Sequence, residues 1–106
     1  MAFAGKVAEL NPSATTATKL YTAPSATVFV GHVVAANRSV TDTTIRVSIR
    51  IAGAGADDKQ FMAYDLPLPG NDAFQTSKIA LAATDEVWVY TTDATVSFVL
   101  TGLEFS

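Results

Sequence analysis

The feature that most constrains the fold is an eight-residue segment, residues 44–51, in which apolar and polar side chains alternate without interruption. An α-helix would place its apolar residues three or four positions apart, whereas a strand places them two apart. The segment therefore predicts an antiparallel strand with one buried and one solvated face. The predicted inward residues are Ile45, Val47, Ile49 and Ile51, and the predicted outward residues are Thr44, Arg46, Ser48 and Arg50.

Further apolar segments, separated by turn-forming residues, predict that the rest of the chain is also β-structure. The predicted strands are 19–23, 27–36, 59–65, 73–79, 86–92 and 95–105, with 6–10 as a weaker candidate. The predicted turns, rich in Gly, Pro, Asn and Asp, are 37–39, 53–58, 67–72 and 92–94. Turns at this spacing favour a single antiparallel β-sandwich or a jelly-roll-like barrel of about seven or eight strands.

The domain organisation follows from the length and from one proline. The 106 residues suffice for one domain, and residues 19–106 contain the stronger strand signals. Residues 1–18 alternate only briefly, and Pro12 has no N–H to donate to a sheet. We expect this segment to be either an N-terminal arm that docks on a neighbouring subunit or an edge strand of the sandwich.

Composition excludes several classes of function. Seven basic against ten acidic residues give a net charge of −3, so no basic surface favours nucleic acid. The chain has no cysteine, which excludes disulfides and thiolate chemistry. No apolar run is long enough for a transmembrane helix, and the N-terminus lacks the pattern of a signal peptide. We expect neither nucleic acid nor a membrane as a partner.

The residues that carry enzymatic chemistry are sparse. His32 is the single histidine, and it lies within a valine-rich strand, where a packed or interface side chain is the more common role. No Gly-x-Ser-x-Gly motif accompanies it, and the acidic residues of the loops match no metal-binding motif. We therefore expect no enzymatic activity, no cofactor and no metal site.

Two segments, 28–36 and 87–90, are apolar on both faces, although one face of a strand in an isolated sandwich is usually polar. The outward apolar face of such a strand needs to be shielded from water, and another copy of the chain or a larger assembly would shield it. The alternative is that a few aromatic residues lie singly at the surface, as proteins tolerate. The predicted interface residues are Trp88, Tyr90, His32 and Phe29. The aromatic residues Trp88, Tyr90, Tyr64 and Tyr21 would also suit a platform on which a glycan stacks.

Several short blocks, in this order, resemble a family of small β-sandwich proteins encoded among the structural genes of tailed bacteriophages, which include decoration and tail-fibre-like proteins. The resemblance covers residues 20–104. The blocks are residues 20–24, 37–39, 49–53, 64–65, 71–72, 85–90, 96–98 and 102–104.

The resemblance implies a non-enzymatic, oligomeric component of the virion, located on the capsid or in the tail or baseplate. The expected partners are other copies of the chain, as a trimer by analogy with that family, and other virion proteins. The alternative function is a carbohydrate- or receptor-binding tip of a tail fibre.

Overall fold

The computed structural model describes residues 2–106 and consists of antiparallel strands in two facing sheets, with two short 3₁₀ turns at Ile51–Gly53 and Asp58–Gln60. The predicted all-β antiparallel sandwich is confirmed. The strands are β1 (Phe3–Leu10), β2 (Thr18–Thr22), β3 (Val28–Asn37), β4 (Thr43–Arg50), β5 (Phe61–Leu68), β6 (Ala73–Gln75), β7 (Ile79–Leu81), β8 (Glu86–Thr91) and β9 (Val96–Phe105).

Sheet A has the strand order β1-β9-β3-β6, with β7 also paired to β3, and sheet B has the order β2-β8-β4-β5. The predicted single strand over 73–79 is wrong, because it divides into β6 and β7, which pair with successive parts of β3. Thr76 lies at the break. Its N–H donates to the Val33 carbonyl at 2.9 Å, and its hydroxyl accepts from the Val33 N–H at 3.0 Å. The hydroxyl thus replaces a backbone carbonyl, and β6 and β7 act as one interrupted edge strand.

The connectivity is that of one long hairpin rolled into two layers. β4 pairs with β5 near the middle of the chain, β3 pairs with β6 and β7, β2 pairs with β8, and β1 pairs with β9. Two further pairings complete the sheets: β3 pairs with β9 in sheet A, and β4 pairs with β8 in sheet B.

The core lies between the sheets and is filled by alternate residues of their strands. Phe29 of β3 has no exposed surface, and its ring lies against the backbone of Gly31 and Gly102. A Cβ at Gly31 would come within 2.2 Å of the Thr101 carbonyl, so the centre of sheet A requires glycine there. The largest fully buried side chains are Phe29, Phe98, Ile45, Leu68, Ile79, Leu81, Leu100, Val33, Val47, Val87, Val89 and Val96.

The N-terminal segment is an edge strand of sheet A. β1 pairs with β9 from Phe3↔Phe105 to Leu10↔Phe98 and is the outermost strand of the sheet. The docking of residues 1–18 on a neighbouring subunit stays a prediction. Pro12 is buried just beyond the end of β1. The chain then crosses to sheet B, where the Thr15 N–H donates to the Thr91 carbonyl at 2.8 Å. Met1 lies outside the described residues.

Two local expectations about strand ends are wrong. Ile51, predicted to face the core, is 72% exposed in a 3₁₀ turn, because β4 ends at Arg50 and Ala52 adopts a left-handed conformation. Pro67, assigned to a turn, lies within β5 opposite Thr44. A proline is tolerated there because β5 is the edge strand of sheet B and needs no donor on its outer side.

Asn37, at the end of β3, joins the loops that connect the two sheets. Its side chain is buried, with 3% of its surface exposed. The amide nitrogen donates to the carbonyls of Thr41 at 2.8 Å and Leu68 at 3.2 Å. The amide oxygen accepts from the Ser39 N–H at 3.1 Å and the Thr95 hydroxyl at 3.3 Å. Asn37 thereby satisfies backbone groups of the β3–β4 loop and of the chain where β5 ends and the β5–β6 loop begins, at Leu68 and Pro69.

Candidate interaction surfaces

The outer side of sheet A is an apolar surface on which no other element of the described chain packs. Because β1, β9 and β3 alternate, their inward residues fill the core while their outward residues are also mostly apolar. Phe3 is 70% exposed, Val7 58%, Val28 45% and Leu103 40%. We call this surface the apolar face and define it by Phe3, Val7, Val28, Val30, Val34, Val99, Leu103 and Phe105.

The outer side of sheet B also has apolar side chains, but arginines of the same chain cover them. The Arg46 guanidinium carbon lies 4.3 Å from the ring centres of both Tyr64 and Tyr90, and its Nε donates to the Asp65 carboxylate at 2.7 Å. This hydrogen bond raises the pKa of Arg46. A bulge in β5 places both Tyr64 and Asp65 opposite Arg46. The bulge therefore supplies both the aromatic and the acidic partner.

Arg50 covers the third aromatic residue of this surface, Trp88. Its guanidinium carbon lies 3.7 Å from the Trp88 ring centre. The indole N–H donates to Glu86 at 2.8 Å, and Glu86 also pairs with Lys19 at 3.5 Å. A shallow depression of about 150 Å³ lies between the two arginines, with Ser48 among its lining residues.

A polar cluster ties the two sheets together at the end where β1 begins. The Tyr21 hydroxyl of sheet B donates to the Glu104 carboxylate of sheet A, and the Lys6 ammonium lies 5.8 Å from the centre of the tyrosine ring. Burial, and next the hydrogen bond to Glu104, raise the pKa of Tyr21 above its ordinary value. Tyr21 is therefore held in its neutral form.

The four predicted interface residues are not brought together. Trp88 and Tyr90 are half-buried beneath arginines on sheet B. His32 is half-buried on the outer side of sheet A, with its Nδ1 3.3 Å from the Thr76 carbonyl oxygen. Phe29 belongs to the core, where it packs on Tyr21 with ring centres 5.1 Å apart, so its side chain presents no surface to a partner.

Sequence reasoning missed the exposed apolar residues near the two chain ends, chiefly Phe3, Val7 and Leu103. Apolar residues on both faces of segments 3–10 and 96–105 are the only local signal of this surface. They form a surface only when β1 and β9 lie side by side, and that pairing joins residues from opposite ends of the chain.

Residues 2–106 contain neither a cluster of metal-ligating side chains nor a membrane-spanning helix. Within residues 2–106, no group of three or more His, Cys, Asp or Glu side chains is arranged to hold a metal ion. No helix in that part of the chain is long and apolar enough to cross a membrane.

The fold and its surfaces define a two-layer antiparallel β-sandwich with one bare apolar side. No protein-family model matches the sequence, and no curated protein matches it. The fold is similar to a chain in the acidic stable capsid structure of Helicobacter pylori bacteriophage KHP30, with a TM-score of 0.56 and 16% sequence identity. The alignment covers 100% of this chain and 89% of that chain. At this identity the similarity establishes the shared fold.

Proposed function

We propose that this chain is a non-enzymatic structural protein of a bacteriophage virion, which decorates the capsid as an oligomer. The observation that carries the proposal is the full-length similarity in fold to a chain of a phage capsid structure. That chain is only slightly longer than this one, because the alignment covers 89% of it. The comparison therefore covers most of both chains, and it favours the capsid over the tail or baseplate as the location.

The strand connectivity supports the same proposal. A long hairpin rolled into two four-position layers is the arrangement of an eight-stranded jelly roll when β6 and β7 count as one strand. Jelly rolls recur in viral capsid and lectin domains. Since one fold serves many functions, connectivity alone does not separate these two classes.

The surfaces favour assembly over ligand chemistry. The apolar face is of a kind that soluble monomers rarely leave uncovered. His32, the single histidine, is placed among Val30, Val34 and Thr101 and has no carboxylate partner. A general base needs an orienting group and a nucleophile within hydrogen-bond reach. The non-enzymatic part of the proposal rests on this environment.

The alternative function is a carbohydrate- or receptor-binding tip of a tail fibre. A glycan would stack on the outer side of sheet B, which carries Trp88, Tyr64 and Tyr90. Sugars stack on open aromatic faces, whereas Arg50 covers the Trp88 ring and Arg46 lies between Tyr64 and Tyr90. A glycan would have to displace these guanidinium groups. This surface therefore favours the structural role.

The proposal is tested on virus particles. We expect mass spectrometry of purified virions to detect the protein in a fixed ratio to the main capsid protein. We also expect the purified protein to co-sediment with particles made without its gene. Its absence from purified virions would refute the proposal, and binding to a glycan array without binding to particles would favour the receptor-binding alternative.

A further inference from the structure

The apolar face has the composition of a protein interface, and its most exposed apolar side chains are grouped at one end. Val30 of β3 lies directly opposite Leu103 of β9, and Phe3 contacts Phe105 at 6.2 Å between ring centres. A polar group lies at the far end of the face, where Arg38 Nε donates to the Ser97 hydroxyl at 2.7 Å. His32 and Thr101 lie opposite each other between these two parts, so the face is mostly apolar with a few neutral polar groups, which is the composition of an interface core.

We propose that the occupant of the apolar face is a second copy of this chain, so that the outer sides of two A sheets pack against each other. This inference deepens the proposed structural role by naming the surface through which the copies meet. It also assigns the arginine-covered side of sheet B to the outside of the oligomer.

The extent of the face is sufficient for such contact. β3 and β9 are ten residues long, which corresponds to about 33 Å, and four strand positions about 4.8 Å apart form its width. The resulting area is roughly 600 Å² before side-chain relief is counted. Standard interfaces bury about 600–1,000 Å² per partner, so a second copy packed on the whole face would form an interface within this range.

Charge favours a second copy over an unrelated partner. The protein carries a net charge of −3, yet Glu9 is the one charged residue that the described strands place on the outer side of sheet A. Two such faces can therefore meet without bringing many like charges together. Interfaces between identical chains are also more apolar than those between independently stable partners, and the composition of this face is of the former kind.

The test compares two matched substitutions on opposite sheets. Leu103 and Met62 are each 40% exposed, but Leu103 lies on the apolar face and Met62 on β5 of sheet B. We expect light scattering of the wild-type protein at micromolar concentration to give a mass at least twice that of one 11.1 kDa chain. Leu103→Asp should reduce the mass to that of the monomer, whereas Met62→Asp should leave it unchanged.

A second variant keeps the test decisive if Leu103→Asp fails to fold. Thr101 is exposed on the same side of β9, so Thr101→Arg adds a charge without touching the core and should also give monomers. A wild-type mass of 11.1 kDa would overturn the inference. Dissociation by Met62→Asp but by neither sheet A variant would overturn it as well.

The inference about the second copy and the proposed virion role can fail independently of each other. A protein that is monomeric in solution but binds particles, and loses that binding in Thr101→Arg, would show that another virion protein occupies the face. In that case the inference fails and the virion role stands. A stable oligomer that is absent from virions would give the opposite result.

Discussion

β3 and β8 have the same kind of sequence, apolar on both faces, but their outer faces are covered differently. The outward residues of β8, Trp88 and Tyr90, lie beneath Arg50 and Arg46 of the neighbouring β4. β3 has Val30 opposite Leu103 of β9, and no long cationic side chain lies near them on the strands of sheet A. The outer cover of an apolar strand is therefore decided by its neighbour in the sheet.

The difference has an energetic consequence for each sheet. An arginine over an aromatic ring contributes about 0.5–1 kcal/mol at an exposed site, and its aliphatic stem also covers apolar surface. In sheet B this stabilisation comes from the same chain, because Arg46 lies directly opposite Tyr90. Sheet A obtains comparable cover only from another molecule, so the two sheets should respond differently to the same kind of substitution.

The largest expected effect comes from introducing a charge on the inner instead of the outer side of the sandwich. Ile45 has no exposed surface, and Ile45→Asp places a carboxylate in the core without a partner. The cost should exceed about 4 kcal/mol, which is most of the stability of a small domain. We expect circular dichroism to show an unfolded chain, whereas Leu103→Asp should keep its β spectrum. A folded Ile45→Asp with the wild-type melting temperature would contradict the assignment of the two sides.

This contrast also shows how far the sequence alone could lead. Alternation in residues 44–51 gave the strand and its inward side, but it ranked four isoleucine and valine positions equally. The structure buries Ile45 and Val47 fully, leaves Ile49 half-buried and exposes Ile51. The difference arises because the partner strands end and β4 gives way to a 3₁₀ turn, and neither event is encoded in the periodicity of the segment.

The surfaces were less predictable than the strands, because they depend on contacts between distant residues. Alternation identified most strands, while strand order, which places β1 beside β9 and Arg46 beside Tyr90, has no local signal. Trp88 and Tyr90 were therefore predicted as bare interface residues without their arginine covers. The interface roles of Trp88, Tyr90 and His32 stay predictions.

The second prediction asks whether the two sheets, despite their different outer sides, melt as one unit. Asn37→Ala removes the buried amide that satisfies carbonyls of the loops between the sheets. Backbone groups left without partners there should cost about 2–3 kcal/mol. We expect a single melting transition at a lower temperature. Two separate transitions would mean that the sheets are energetically independent.

The third prediction is that replacing the two arginines of sheet B gives its outer side an uncovered apolar surface like that of sheet A. Arg46→Ser and Arg50→Ser should each cost about 1 kcal/mol through lost stacking and, for Arg46, the ion pair with Asp65. The double variant should bind more of a hydrophobic dye, because Trp88 and Tyr90 lose their covers. The control is Lys78→Ser, which removes an exposed cation between β6 and β7 of sheet A, away from Trp88 and Tyr90. Equal dye binding by the double variant and the control would show that the arginines are not effective covers.

The smallest expected effect on the free energy of unfolding concerns the hydrogen bond from Tyr21 of sheet B to Glu104 of sheet A, and it depends on pH. Tyr21→Phe removes the hydroxyl that donates to Glu104, which should cost about 1 kcal/mol at neutral pH. Burial and Glu104 raise the pKa of Tyr21, so the folded protein keeps this proton above the ordinary tyrosine pKa of about 10, whereas the unfolded chain releases it. The unfolded state then binds fewer protons, and the stabilisation that Tyr21 provides below that pH decreases as the pH rises.

The wild type should consequently lose stability faster than Tyr21→Phe as the pH increases above about 10, and the difference between them should narrow. Urea denaturation midpoints measured from neutral to alkaline pH give this difference directly. Tyr64→Phe is the matched control, because Tyr64 is 57% exposed and contacts Arg46 on the outer side of sheet B. A wild-type advantage over Tyr21→Phe that stays constant across this range would show that the Tyr21 proton is not held by burial and Glu104.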